Sequence, residues 1–322
     1  MVAGALTPNL ISAVAIRIVQ PPAAAYHFGG QTMYSGASVV IAMFPDDDAN
    51  AATLMRHADT AMYVAKSQGR GNFQFYLPAM NVATQERLLM EHRIRLALGQ
   101  QQFELGLTEP ERTIPIAEES GLILAFGDWV LARAVALLAE WKRDGLAGLR
   151  MAVNLSARQC HGRELLPQLD RLRAEVGVDP ALLELEITES AAMHDPEHTR
   201  HLLRCLRERG INVAIDDFGT RYPSLSYLKL FGIDRIKIDR GFVTDIETDP
   251  NDAAIVTATI GMAHAMGLTV LADGVETVAQ RNSLRMHVCD EAQGYLFARP
   301  MPPAQFREFM VKAKGQTLMP RS

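Results

Sequence analysis

Six short apolar runs, each with a polar residue at one end, recur along the last two-thirds of the chain and constrain its fold more than any other feature. Ala152-Val153 leads into Asn154, Leu183–Leu185 into Glu186, Ile211–Ile215 into Asp216 and Asp217, and Arg235-Ile236 into Lys237 and on to Asp239. Leu268–Ala272 leads into Asp273, and a last run, Gln293–Phe297, opens on Gln293. Intervals of 32, 30, 21, 36 and 20 residues between Asn154, Glu186, Asp216, Lys237, Asp273 and Gln293 are those of βα units. Short runs rich in Val, Ile and Leu fit strands buried on both faces of a parallel sheet. Strands that each offer one polar side chain at their ends are the organisation of a (β/α) barrel, with its site at the C-terminal face.

The chain has 322 residues, room for such a barrel and one smaller unit. Its net charge is −5, and apart from the scattered arginines of Arg200–Arg209 it has no basic run. A nucleic-acid polymer or an anionic membrane is therefore not expected as the main partner, whereas a small phosphate ligand needs only local charge. Cys160, Cys205 and Cys289 are odd in number and far apart, the pattern of buried thiols in a reducing cytoplasm. Arg17, Asp128 and Arg133 break the best apolar runs, so no membrane segment is expected, and the start carries no cationic leader.

Before the repeats, the Ala/Ile/Val-rich start predicts a helix ending before Pro21-Pro22. Ser38–Phe44 reads as a strand and Ala52–Ala65 as a helix stopped by Gly69; Asn72–Tyr76 alternates like a half-buried strand. The runs S-V-V-I-A-M-F-P and L-M-R-H-A-D-T-A-M-Y-V-A-K-S-Q-G-R-G-N-F make residues 1–78 similar to the last part of a GGDEF (diguanylate cyclase) domain. The G-G-D-E-F signature itself is not present, and Gly29-Gly30 is followed by Gln31-Thr32-Met33. No diguanylate cyclase activity is expected of this remnant, and Asp59 and Lys66 read as solvated or structural residues. Residues 79–100 read as a connecting helix.

From 101 to 314 the chain resembles an EAL domain, the family of cyclic di-GMP phosphodiesterases. The resemblance rests on I-P-I-A-E-E-S-G-L-I, V-N-L-S-A-R-Q, L-E-L-E-I-T-E-S, D-D-F-G-T, K-I-D-R-G-F-V, A-D-G-V-E-T and Q-G-Y-L-F-A-R-P, in that order. It implies an α/β fold, a TIM-like (β/α) barrel, and a Mg²⁺- or Mn²⁺-dependent reaction. It further implies Asn154, Glu186, Asp216 and Asp217 as metal ligands, and Lys237, Asp217 and Asp273 as catalytic groups. Gln293 matches a substrate contact, and Glu189, Glu276 and Asp239 match supporting positions. Oxygen donors of this kind suit a hard divalent cation acting on a phosphodiester.

Three departures from the family's pattern decide the expected function. Phe103-Glu104-Leu105 runs almost directly into Thr108-Glu109-Pro110, an internal deletion near 105–112 that removes the E-A-L segment and about two barrel strands. Arg221-Tyr222-Pro223 replaces a Gly-Tyr-Ser after D-F-G-T, and Asp273 replaces a Glu. The expected function is thus a degenerate, catalytically lost or impaired module that acts by binding. The alternative is an active phosphodiesterase that opens cyclic di-GMP to linear pGpG. A sheet missing two strands is expected to leave Val153, Leu155 and Leu296 facing an open interior. The chain then has either to fold Phe103–Leu107 in as a substitute strand or to form a homodimer, the dimer being preferred over the substitute strand.

Overall fold

The computed structural model describes residues 8–19, 26–28, 31–33, 37–67, 72–100, 110–220 and 225–317. The chain divides into two compact units, residues 1–93 and 94–322. In the first, helix α1 (Pro8–Val19) precedes two short strands, β1 (Tyr26–Phe28) and β2 (Gln31–Met33), paired antiparallel. Strand β3 (Val39–Ile41), helix α2 (Ala51–Ser67) and strand β4 (Phe73–Phe75) form a βαβ unit with β3 and β4 parallel. Ala61 and Ala65 of α2 are fully buried, and His57 stacks on Tyr76 at 3.9 Å between ring centroids. The division between units falls within helix α3 (Pro78–Gln100).

The second unit opens with helices α4 (Pro110–Ser120) and α5 (Ile123–Arg143). Strands and helices then alternate: β5 (Met151–Leu155), α6 (Ala157–Cys160), α7 (Leu165–Val176), β6 (Leu183–Thr188), α8 (Glu189–His194), α9 (Pro196–Glu208), β7 (Asn212–Phe218) and α10 (Leu225–Phe231). There follow β8 (Arg235–Ile238), α11 (Arg240–Thr244), α12 (Pro250–Ala265), β9 (Thr269–Ala272), α13 (Val278–Met286), β10 (Glu291–Ala292) and α14 (Pro303–Thr317). The strands make one parallel sheet in chain order, β5-β6-β7-β8-β9-β10. Stepwise parallel order places every crossover helix on the same side, where Leu185, Ile187, Ile215, Ile236 and Ile238 pack into one core. Side-chain oxygens cap the helices that start after strands: Ser156 and Gln159 form a capping box, as do Thr277 and Gln280, and Thr188 and Asp239 cap α8 and α11. Among the described residues no helix is long and apolar enough to cross a membrane.

The opposite face of the sheet is charged, and the sequence reading found only its upper level, Glu186, Asp216 and Lys237. Glu184 and Glu186 alternate with Leu185 and Ile187 on β6, and Arg235 and Lys237 alternate with Ile236 and Ile238 on β8; all eight side chains are buried. At the lower level Arg235 reaches Glu184 at 3.2 Å and Glu291 at 2.8 Å, and Arg150 also reaches Glu291 at 2.8 Å. Arg150 directly precedes edge strand β5, and Glu291 lies on the other edge strand, β10. The ion pair between them requires the sheet to curl until its two edges approach at the strand N-terminal ends.

Two expectations are corrected here. Val153 and Leu155 do not face an open interior: they are buried against the helices, and it is Ala152 and Asn154 that are exposed on β5. Period-two alternation turns the larger apolar pair of that strand toward the helical layer. Leu296 is partly buried against the same core. The last strand precedes Gln293 instead of starting there, because the chain turns at Gly294. That turn lies against Val275, whose N–H donates to the Gln293 carbonyl and whose carbonyl accepts from Leu296. Phe103–Leu107, Gly69 and Arg221–Ser224 lie outside the described residues.

Helix α13 ends in a complete Schellman pair: Cys289 N–H donates to the Leu284 carbonyl and Val288 N–H to that of Arg285. The pair forces Val288 to φ 62°, a left-handed conformation that a β-branched residue adopts at a cost of about 1–2 kcal/mol. Glycine removes that cost and gives back roughly 0.5–1 kcal/mol in chain entropy. Val288→Gly is expected to raise the melting temperature by a few degrees; a lower one in a thermal melt would show that the exposed valine makes compensating contacts.

Candidate functional site

Lys237 is the centre of the upper level of the charged face. Its Nζ donates to Glu186 Oε2 at 2.6 Å and to Asp216 Oδ2 at 2.9 Å. The parallel register brings these groups together: Asn154 lies opposite Glu186, Glu186 opposite Ala214, and Thr188 opposite Asp216. The lysine and Glu186 side chains are almost wholly buried, and that of Asp216 is 15% exposed. Burial works against the lysine's charge, but Glu186 and then Asp216 outweigh it and hold the Lys237 pKa above its ordinary value. Burial lifts the Glu186 carboxyl, against the pull of Lys237 and with the charges of Asp216 and Glu184 adding to the rise.

Asp217 is set differently. A register shift between Ile215 and Phe218 marks an irregularity in β7, and Asp217 takes φ 55° there. Its N–H donates to Asp216 Oδ1 at 3.0 Å, and its carbonyl accepts from the Thr220 hydroxyl at 3.0 Å. The exposed carboxylate is pushed up by desolvation first, then by the charges of Asp216 and Asp239, with Asp273 adding less. Glu189 is buried and accepts the Gly219 N–H at 3.2 Å, which ties the loop after Asp217 to α8. Asp239 accepts the Gly241 N–H at 2.8 Å and Asp273 that of Gly274 at 2.6 Å, so one oxygen of each shapes its own turn.

Apart from Glu189, which holds the loop at Gly219, the residues singled out from the sequence fall into three groups. Glu186, Asp216 and Lys237 are in direct contact. Asp217, Asp239 and Asp273 interact electrostatically around them. Asn154, Glu276 and Gln293 are exposed, Asn154 in register with Glu186, and the described hydrogen bonds do not join their side chains to the cluster. The lower-level partners Glu184, Arg235 and Glu291 were not anticipated; charges at i and i+2 in L-E-L-E and R-I-K-I were the available signal.

The oxygen chemistry of Asn154, Glu186, Asp216 and Asp217 suits Mg²⁺ or Mn²⁺. The arrangement does not form a cage for either ion. Lys237 takes one oxygen of each buried carboxylate, Asp217 N–H takes the other oxygen of Asp216, and no three His, Cys, Asp or Glu among the described residues are placed to hold a metal. Beside Asn154 there is also no further strand among the described residues. The free edge of β5 borders a cavity of about 790 Å³ walled by Ile114, Ile123, Phe126 and Val130.

The raised Asp217 pKa predicts a pH-dependent stability effect. Folding favours the protonated form of this carboxyl, so its ionisation destabilises the fold as pH rises from the ordinary Asp range through the raised value. Asp217→Asn is therefore expected to melt like the parent at low pH and slightly higher at neutral pH without divalent cations. Asn tolerates the left-handed backbone. Equal melting curves at neutral pH would refute the repulsion.

Known proteins divide the chain in the same order as its motifs. The EAL domain family model matches residues 63–300, and that of the diguanylate cyclase GGDEF domain matches residues 6–72. Signaling protein YkoW of Bacillus subtilis is 34% identical over 330 residues, covering 94% of this chain and 41% of that protein. The bifunctional diguanylate cyclase/cyclic di-GMP phosphodiesterase MucR of Pseudomonas aeruginosa is 37% identical, with 90% and 46% covered. Cyclic di-GMP phosphodiesterase PdeR of Escherichia coli is 35% identical, with 94% and 49% covered. The chain spans less than half the length of these relatives. Among solved structures, the PaMucR phosphodiesterase in complex with c-di-GMP superposes with a TM-score of 0.61 at 40% identity, over 63% of this chain and 82% of that one.

Proposed function

The chain belongs to the EAL-domain family, and from that membership we propose that it is a degenerate member of cyclic di-GMP signalling, a binding and regulatory module with little or no phosphodiesterase activity. The observation that carries this reading is the free edge of β5. Asn154 sits on that edge, and beside it, among the described residues, the protein offers a largely apolar cavity where a further strand would bring donors. Losing a ligand and the strand that holds it removes far more activity than altering one contact. In this reading Asn154, Glu186, Asp216 and Asp217 give a Mg²⁺ or Mn²⁺ ion only weak purchase, and Lys237 stays with the two buried carboxylates. Gln293 contacts a weakly held cyclic di-GMP, and Asp273 stands in the catalytic position of a longer Glu; Glu189, Glu276 and Asp239 support the surrounding turns. The domains run from 1 to 78 (GGDEF remnant), 79 to 100 (connecting helix) and 101 to 314 (EAL-like), and the protein works in the cytoplasm.

The edge of β5, unpaired among the described residues, also favours a homodimer or a protein partner, since unpaired backbone groups invite another chain. The burial of Val153 and Leu155 removes the second argument for a dimer, so the edge alone supports it. Light scattering over a dilution series is expected to show a dimer that dissociates; a monomer at every concentration would refute it.

Turnover is the decisive test of the main reading. With Mg²⁺ or Mn²⁺, hydrolysis of cyclic di-GMP to pGpG is expected to be absent or orders of magnitude below that of PdeR. Turnover that Asp216→Asn abolishes would establish the alternative, an active phosphodiesterase whose missing donor comes from elsewhere.

A further inference from the structure

We propose that a basic trough between α9 and α10 is a binding site for a phosphoryl-bearing anion, separate from the carboxylate site. Helix α9 buries Thr199, Leu202, Leu203 and Leu206 in the core and turns Arg200, His201, Arg204 and Arg207 outward. Spacings of four and three residues place the three guanidinium groups along one flank, over roughly 10 Å of helix. With Leu230, Phe231 and Gly232 at the end of α10 they enclose a cavity of about 300 Å³, the small end of ligand-pocket size. A second cavity, of about 660 Å³, shares Arg207 and Gly232 and adds Lys229.

The charge there is not used up by the fold. Arg200 is paired with Glu197 at 2.9 Å, and Arg204 lies 3.8 Å from Glu208 while donating to His201 Nδ1 at 3.1 Å. Arg207 is exposed and, among the described residues, has no ion pair and no side-chain hydrogen bond. Its Nη1 lies 3.2 Å from where a Cβ on Gly232 would stand, and Gly232 has φ +62°. The backbone conformation favours glycine at 232, and the guanidinium packs close beside it. In a chain of net charge −5 the cluster is a local feature and not a consequence of general basicity.

Position separates the trough from the carboxylates. Helix α9 ends just before β7 begins and α10 just before β8, so the trough lies at the strand N-terminal ends; Asp216 and Lys237 lie toward the C-terminal ends. Guanidinium forks hold phosphoryl oxygens bidentately, and the three arginines outnumber the two carboxylates beside them, Glu197 and Glu208. Leu230, half exposed, adds an apolar wall for whatever carries the phosphoryl group. The inference does not depend on whether the carboxylate site turns over.

Calorimetry on the full chain with inorganic pyrophosphate, without divalent cations, tests it. Saturable binding at millimolar concentration is expected, weakened by added salt and by roughly tenfold or more in Arg207→Ala, the loss of one charge-assisted contact. Arg204→Ala, an equally exposed position, should weaken it in the same sense, and thermal melts confirm that both variants fold. Competition by a phosphoserine peptide would assign the phosphoryl group to a protein, and failure to compete to a small molecule; both keep the site. Absence of saturable binding would overturn the proposal. So would binding that Arg207→Ala and Arg204→Ala leave intact and Lys237→Met removes, since the anion would then be at the carboxylate site.

Discussion

The Lys237 ammonium, held at 2.6 and 2.9 Å between Glu186 and Asp216, is the interaction on which the inner face of the sheet depends. Two carboxylates on neighbouring strands in a nearly dry environment repel each other and lose hydration, a cost of several kcal/mol for each uncompensated ion. One lysine on the next strand offsets both. The same arrangement recurs one level lower, where Arg235 stands between Glu184 and Glu291. Alternate residues of β6 are acidic and alternate residues of β8 basic, so the curled sheet neutralises its own interior across β7 and β9.

That pattern explains how the six described strands keep a curled shape. A curled sheet with an apolar inner face would need side chains to fill it, as in a closed barrel. Here the lower level is spanned by long charged side chains, and Arg150 at one edge meets Glu291 at the other. The Arg150 pair is largely exposed and stabilises little by itself. The buried Arg235–Glu184 pair is different: removing the arginine would leave a carboxylate at 5% exposure without a partner. Curvature is held at the floor, and near Asn154 no further strand flanks β5 among the described residues.

Much of this was legible in the sequence, for a physical reason. A strand buried on both faces announces itself as a short apolar run, and a polar residue at its end is conspicuous against it, which is how Glu186, Asp216 and Lys237 came to be grouped before any coordinates. Side-chain partnership across a sheet is less legible. Glu184 and Arg235 sit 51 residues apart and meet only because register and curl bring them together. The facing of Val153 and Leu155 was misread because an edge strand of five residues alternates too briefly to say which side is helical. Gln293–Phe297 looks like a strand in the sequence, but the chain turns at Gly294, where Val275 N–H donates to the Gln293 carbonyl and the Val275 carbonyl accepts from Leu296.

What distinguishes this site from an inert remnant is that part of it remains electrostatically unfavourable. Asp217 stands in a left-handed conformation, its carboxyl raised by burial and by the neighbouring charges of Asp216, Asp239 and Asp273, while the one nearby ammonium is committed to the two buried carboxylates. Strain and like-charge crowding of this kind persist where the surrounding structure enforces them, and they mark sites that respond to a ligand. A cation at this rim would relieve the like-charge repulsion on Asp217 and lower its pKa, next to the loop that Glu189 ties to α8.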